Sequence, residues 1–264
     1  SEVMEVGVRT DRTLPYHAGQ YAQVGFRGYP SRPFSFTHPM PGNSSSASVW
    51  FHVRRMTEGR VTSSLGTRIQ PGHRVKLTGP YGAAHFRPNL GGRLVLVATN
   101  TGFAPIWSIA VAALRETPER MIMIIAGGRT LDALYMGPAL ARLARYPNVR
   151  VVPCCSTPQT VTHAVRPGRP TDYLPSLLPT DVLYACGAPG MVESITSIAA
   201  QTGAVCYADP FLPTVDDTAG QSVLARAMGW FAMPSRRRMG QPVLDSPCDQ
   251  REPPMQAYRI ARQG

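Results

Sequence analysis

Residues 94–98, Leu-Val-Leu-Val-Ala, form an apolar run without a polar break, which stops at Thr99-Asn100-Thr101-Gly102 and resumes as a helical pattern from about Ala104. A run with no alternation is hidden on both faces, so it belongs inside a parallel sheet covered by helices. The cycle then repeats. Residues 121–125 read as a strand, 131–146 as a helix, 149–152 and 181–185 as strands, 189–200 as a helix and 205–207 as a last strand. Strands alternating with helices imply right-handed crossovers, and in such sheets ligands sit at the carboxyl ends of the strands.

Before residue 92 the rhythm differs. Short β-type runs at 3–8, 21–26, 48–54 and 74–77 are separated by Gly, Pro and Ser clusters, the pattern of a small antiparallel barrel or sandwich. One short helix is expected from near Thr62, where Thr62 and Ser63 can cap the first turn. With 264 residues, 43% of them hydrophobic, the chain can bury two modest cores. The expected division is a barrel over 1–89 with its first strand truncated, a parallel-sheet domain over 90–211, and a tail over 212–264. The tail lacks sustained periodicity apart from a short helix at 223–231, and is expected to be largely disordered. The chain begins at Ser1 and enters a strand almost at once, so an upstream extension of the natural polypeptide is expected.

The formal charge of +11 is spread along the sequence and is not interleaved with aromatic residues, which argues against a nucleic-acid surface and for docking to an acidic protein. The five cysteines, Cys154, Cys155, Cys186, Cys206 and Cys248, contain no C-x-x-C. They cannot build a zinc site or an iron–sulfur loop, so no metal or iron–sulfur cluster is expected within this chain. Their odd number and the lack of a signal-like start favour a reducing cytoplasm. No apolar run approaches the roughly 18 residues of a membrane span.

Five short strings can carry chemistry. Arg32-Pro33-Phe34-Ser35 offers a guanidinium fork for a diphosphate, an aromatic ring for a flat heterocycle and a hydroxyl for a ring nitrogen. Gly59-Arg60-Val61-Thr62-Ser63 lets backbone amides approach an anion. The strand–turn–helix at 94–105 places Thr101, Gly102 and Pro105 where a dinucleotide phosphate can sit, although it is no G-x-G-x-x-G. Cys186-Gly187-Ala188-Pro189 repeats that layout, and Tyr207-Ala208-Asp209-Pro210-Phe211 follows the last strand. Taken singly, each string is equally an ordinary turn, cap or core contact.

Together and in this order they resemble the ferredoxin–NADP reductase superfamily over nearly all of residues 1–211. The sequence is most similar to the reductase components of bacterial aromatic-ring oxygenases, whose reductase domain closes with a string like Asp209-Pro210-Phe211. The resemblance implies a β + α/β fold, an antiparallel six-stranded FAD-binding barrel followed by a Rossmann-like parallel-sheet nicotinamide-binding domain. It implies that Arg32 meets the FAD pyrophosphate, Phe34 packs on the isoalloxazine and Ser35 lies near its N5. Phe51, His52 and Val53 would run along the flavin, and Gly59, Val61 and Thr62 would cradle the pyrophosphate. Thr101, Gly102 and Pro105 would form the dinucleotide turn, Arg129 would serve the adenosine ribose or its phosphate, and Cys186, Gly187 and Pro189 would lie beside the nicotinamide. Asp209 and Phe211 would border the flavin face that receives hydride, so Ser35, Cys186, Asp209 and Phe211 are the candidate catalytic residues. The implied activity is that of an NAD(P)H-dependent flavoprotein reductase using FAD and NADH or NADPH. Its partner would be an acidic [2Fe-2S] ferredoxin or fused ferredoxin domain, and through it an oxygenase component. Two alternatives stay open, a free flavin or ferric reductase and a non-catalytic FAD-binding module. The second arises because Thr99-Asn100 stand where the superfamily usually has two glycines, and their Cβ atoms would crowd a pyrophosphate at positive φ.

Overall fold

The computed structural model of the chain describes residues 3–39, 48–157, 164–212 and, as a backbone strand, 255–262. Strands β1 (Val3–Arg9), β2 (Tyr21–Phe26), β3 (Arg32–Ser35), β4 (Ser48–Arg54) and β5 (Arg74–Tyr81) make the first half. In β2 and β4 the buried positions alternate, with Ala22, Val24, Phe26, Val49, Phe51 and Val53 facing inward. That period of two fixes which face becomes the core. With a late strand, β12 (Met255–Arg262), the sheet order is β3-β2-β5-β12-β1-β4, and an antiparallel bridge from Phe36 to Phe51 joins its two edges into a closed barrel.

The second half contains β6 (Leu94–Thr99), α1 (Phe103–Glu116), β7 (Ile122–Gly128), α2 (Gly137–Leu143), β8 (Val149–Cys155), β9 (Arg166–Pro167), β10 (Val182–Gly187), α3 (Pro189–Thr202) and β11 (Val205–Pro210). All are parallel in the order β11-β10-β6-β7-β8-β9. Leu94, Leu96 and Ala98 pack against Ile106 and Ile109 of α1, while Val95 and Val97 pack with Ile195 of α3 on the other face. The unbroken apolar run thus has the two covered faces it requires. Helix α3 starts with Pro189 in its first turn and stops at Gly203, which adopts a left-handed φ of 76°.

Three expectations change. The tail supplies β12 (Met255–Arg262), antiparallel to β1 and β5 as the sixth barrel strand, so this part of it is ordered by edge-to-edge backbone pairing that no local pattern announces. The helix expected at 223–231 lies outside the described residues. Near Thr62 the chain makes successive turns instead of a helix, because the Thr62 hydroxyl accepts from Met56 N–H behind it rather than capping amides ahead. The helix expected over 131–146 splits into a 3-10 turn at Leu131–Ala133 and α2, since Gly137-Pro138 restarts the helix with a residue that has no N–H to donate.

Candidate functional site

The carboxyl ends of β6, β10 and β11 meet at one place. Cys186 pairs with Ala98 on one side and Asp209 on the other, and Phe211 N–H donates to Gly187 O at 2.7 Å. Thr101 and Gly102 lie in the 3-10 turn Asn100–Gly102 that leads into α1, where Pro105 is buried. Gly102 touches the end of β10 so closely that a Cβ there would stand 2.2 Å from Cys186 O. The same turn lies beside β4 of the barrel, and β4 in turn adjoins β3, which carries Arg32–Ser35. Thr101, Gly102, Cys186, Gly187, Pro189, Asp209 and Phe211 are therefore brought together. Arg129 stands apart, exposed just beyond the end of β7.

The positive φ that would bring a Cβ toward a pyrophosphate is absent at Thr99 and present at Asn100. Thr99 is extended (φ −130°, ψ 139°) and only Asn100 takes a positive φ, 50°, which asparagine tolerates better than most residues. The side chains at the strand ends have distinct electrostatics. Cys186 is fully buried, and burial raises its thiol well above its ordinary value, so it is a neutral group. Burial also lifts the Asp209 carboxyl to about 6.

On the barrel side, Phe34 is half-buried with its ring 6.1 Å from that of Phe51, and Arg32 and Ser35 are half-buried beside it on β3. Phe51 and Val53 point into the barrel core at 0% and 2% exposure, so only their backbone can edge a ligand. Val61 is likewise a core residue. His52 faces the other way. Its Nδ1 lies 3.1 Å from the hydroxyl of Tyr135 in the second domain, and its Nε2 lies 3.9 Å from Glu5. The neighbouring imidazoles of His38 and His52 hold the Glu5 carboxyl down to about 2.

Three residues bear on the site in ways the sequence does not announce. Tyr135 reaches His52 across the domain boundary. Arg87 lies over the Tyr207 ring at 3.8 Å while its N–H donates to Tyr184 Oη at 3.2 Å, tying the connection between the domains to β10 and β11. Thr99 Oγ1 accepts from Ala188 N–H at 2.8 Å. A cavity of about 400 Å³ is lined by Met123, by residues 150–153 of β8, and by Arg166 and Tyr173, and includes none of the residues gathered at the ends of β6, β10 and β11.

Residues 3–86 match the oxidoreductase FAD-binding domain and residues 96–197 the oxidoreductase NAD-binding domain. The chain carries an FAD-binding and an NAD-binding oxidoreductase domain. It is 30% identical over 223 residues to the ferredoxin–NAD(P)(+) reductase component of the naphthalene 1,2-dioxygenase system of Pseudomonas putida, covering 80% of this chain and 65% of that protein. Against the terephthalate 1,2-dioxygenase reductase component 1 of Comamonas it is 28% identical, over 74% of this chain and 59% of the relative. The chain spans less than two thirds of the length of these curated relatives. Among solved structures, an Amycolatopsis cytochrome P450 reductase superposes with a TM-score of 0.69 at 28% identity, over 80% of this chain and 66% of that one. A ferredoxin reductase of carbazole 1,9a-dioxygenase shares the fold with a TM-score of 0.66 at 22% identity, over 80% and 65% of the two chains.

The residues present fit FAD and a nicotinamide dinucleotide, the cofactors for which these two domains are named. In the turn after β4, Ser63 N–H donates back to Gly59 O, and Arg55 reaches the Ser63 carbonyl at 3.4 Å. The intervening amides of Arg60, Val61 and Thr62 have no protein acceptor among the described residues. Successive unpaired amides beside a guanidinium are a donor set for a diphosphate. Gly59 is required there, since a Cβ would lie 2.3 Å from Thr62 Oγ1. At the strand ends, Gly187 at φ 124° and the close approach of Gly102 to Cys186 O let the β6–α1 and β10–α3 turns meet side by side, with no side chain between them.

Proposed function

We propose that this chain oxidises NADH or NADPH through bound FAD and passes electrons singly to a [2Fe-2S] ferredoxin, separate or fused, that serves an oxygenase component. The observation that carries this reading is the convergence of Gly102, Cys186, Asp209 and Phe211 at three adjacent strand ends, next to the barrel strand that adjoins Phe34. When bound, FAD would supply the chemistry of accepting hydride from a nicotinamide and releasing electrons one at a time.

The protein's share is positioning and charge. Arg32 and the amides of residues 60–62 hold the diphosphate, with Gly59, Val61 and Thr62 shaping their turn. Phe34 lies against the ring system, Ser35 hydrogen-bonds its edge near N5, and Phe51, His52 and Val53 supply the strand alongside. Thr101, Gly102 and Pro105 receive the dinucleotide, Arg129 meets its adenosine ribose or phosphate, and Gly187 and Pro189 border the nicotinamide. Cys186 shapes that pocket without adding charge, because burial keeps it a thiol. Asp209, lifted to about 6, can take up or release a proton at its carboxylate near neutral pH, and Phe211 would border the flavin face that receives hydride. Near-attack separations of roughly 3 to 3.5 Å are what such positioning has to achieve.

Charge supports an acidic partner. Counted by domain, 11 of the 27 Lys and Arg but only four of the 16 Asp and Glu fall in residues 1–89, so the positive excess is greatest on the barrel. The relatives named above are oxygenase reductase components, which supports an oxygenase as the final acceptor. Cys154, Cys186 and Cys206 are free thiols, in keeping with a cytoplasmic setting, and no helix among the described residues is long and apolar enough to cross a membrane.

The test is steady-state reduction of an acidic [2Fe-2S] ferredoxin by the FAD-loaded protein and NAD(P)H, with free FMN as the competing acceptor. Ferredoxin turnover should exceed FMN turnover and fall as salt is raised. Faster turnover with FMN, or ferredoxin rates indifferent to salt, would replace this reading with that of a free flavin reductase.

A further inference from the structure

The floor of the nucleotide site is made by two turns, β6–α1 and β10–α3, which are far apart in sequence and joined by one hydroxyl. Thr99 ends β6 in an extended conformation, and its Oγ1 accepts the N–H of Ala188, the residue that precedes the first turn of α3. Gly187 is shaped to match. With φ at 124°, it leaves open a space in which a Cβ would stand 2.4 Å from Thr99 Oγ1 and 2.5 Å from Thr99 O. The hydroxyl therefore occupies the volume that the glycine vacates. Gly187 O in turn receives Phe211 N–H, so the contact continues from β6 through β10 to the residue after β11. On its other side the Thr99 methyl faces β7, 3.4 Å from where a Cβ on Gly127 would be.

We propose that Thr99 is a positioning residue for the nucleotide site, its hydroxyl bracing the β6–α1 turn against the start of α3 so that Gly187, Ala188 and Phe211 keep a fixed relation to Gly102. A glycine at position 99 has no atom to do this, and valine keeps the shape without the acceptor. The brace is read from geometry alone; its consequence for hydride transfer rests on the reductase reading above. A residue whose displacement moves the backbone around a reacting group affects the limiting rate more than cofactor retention.

The test compares Thr99→Ser and Thr99→Val in the full FAD-loaded chain. Two readouts are needed, amide hydrogen exchange across residues 187–191 without nucleotide and the NAD(P)H dependence of flavin reduction. T99V is expected to speed exchange at Ala188 and lower the limiting reduction rate by about three- to tenfold, as for loss of one hydrogen bond. FAD affinity should be unchanged, and T99S should match the parent in both readouts. T99V behaving as the parent, or T99S as impaired as T99V, would overturn the brace. Should the parent itself be reduced by neither NADH nor NADPH, the reductase reading fails, and the exchange comparison alone decides whether the brace exists.

Discussion

Replacing Gly102 with alanine tests how closely the two nucleotide turns are built together. Gly102 sits at φ −58° and ψ −15°, a conformation any residue adopts, so no backbone strain enters. Alanine at the start of a helix would by itself gain at most about 1 kcal/mol over glycine. Against that, the new Cβ would lie 2.2 Å from Cys186 O, 2.5 Å from Cys186 C and 2.8 Å from Gly187 Cα, all of them backbone atoms. These atoms cannot rotate away, and β10 is held on both sides by β6 and β11. Overpacking costs about 1–3 kcal/mol, and contact with a clamped strand belongs at the upper end, leaving a net loss of about 2 kcal/mol. For a chain of this size that lowers the melting temperature by about 4–8 °C. The turns relieve the overlap by separating by about 1 Å, a misplacement that can slow hydride transfer by about 10²-fold while FAD stays bound. Differential scanning fluorimetry and anaerobic stopped-flow reduction measure the two effects. Gly190→Ala is the control, because nothing lies within 4 Å of a Cβ there. If G102A melted and reacted like the parent, the close approach of β6–α1 to β10 would not govern the site.

Other perturbations probe the surroundings. Asp181 is 1% exposed, 2.6 Å from Arg93 and bonded by Leu178 N–H, while Arg93 is 31% exposed and also reaches Ser176 O, so Asp181→Ala should cost about 1–3 kcal/mol in urea titrations. Asp209 is protonated more readily folded than unfolded, which means stability falls as pH rises from about 4 to about 6, by up to about 3 kcal/mol. Asp209→Asn should abolish that decline in melting curves taken across this range, and a slope unchanged by the substitution would refute the assignment. Glu5 has the opposite sign, because its lowered value stabilises the fold above pH 4.5 and the gain disappears as pH falls toward 2. Its partial exposure limits the effect to about 1 kcal/mol, so Glu5→Gln should change the acid unfolding midpoint only slightly.

The parts of this molecule that depend on local pattern could be read from the sequence. The run at 94–98 announced a strand covered on both faces, and the order of the Arg32, Gly59, Gly102, Cys186 and Asp209 strings announced two cofactor-binding halves. What could not be read depends on distant partners. Strand β12 joins β1 across most of the chain through backbone pairing, which leaves no signature in residues 255–262. His52 alternates as a strand residue should, but nothing local says that its outward face meets Tyr135. Thr99 was legible only as a departure, and its Cβ suggested crowding. Once the residue proves to be extended, the same side chain becomes a hydrogen-bond acceptor. Thr62 failed as a helix cap for a related reason, since its hydroxyl had a nearer donor in Met56.

The central claim, that NAD(P)H reduces FAD held by this chain, is tested most directly by anaerobic titration of the FAD-loaded protein with NADH and then NADPH, followed by visible absorbance. The expected result is loss of the flavin band with one equivalent of one of the two nucleotides per bound FAD. A flavin that stays bound and is bleached by neither nucleotide would contradict the account and leave the chain as an FAD-binding module.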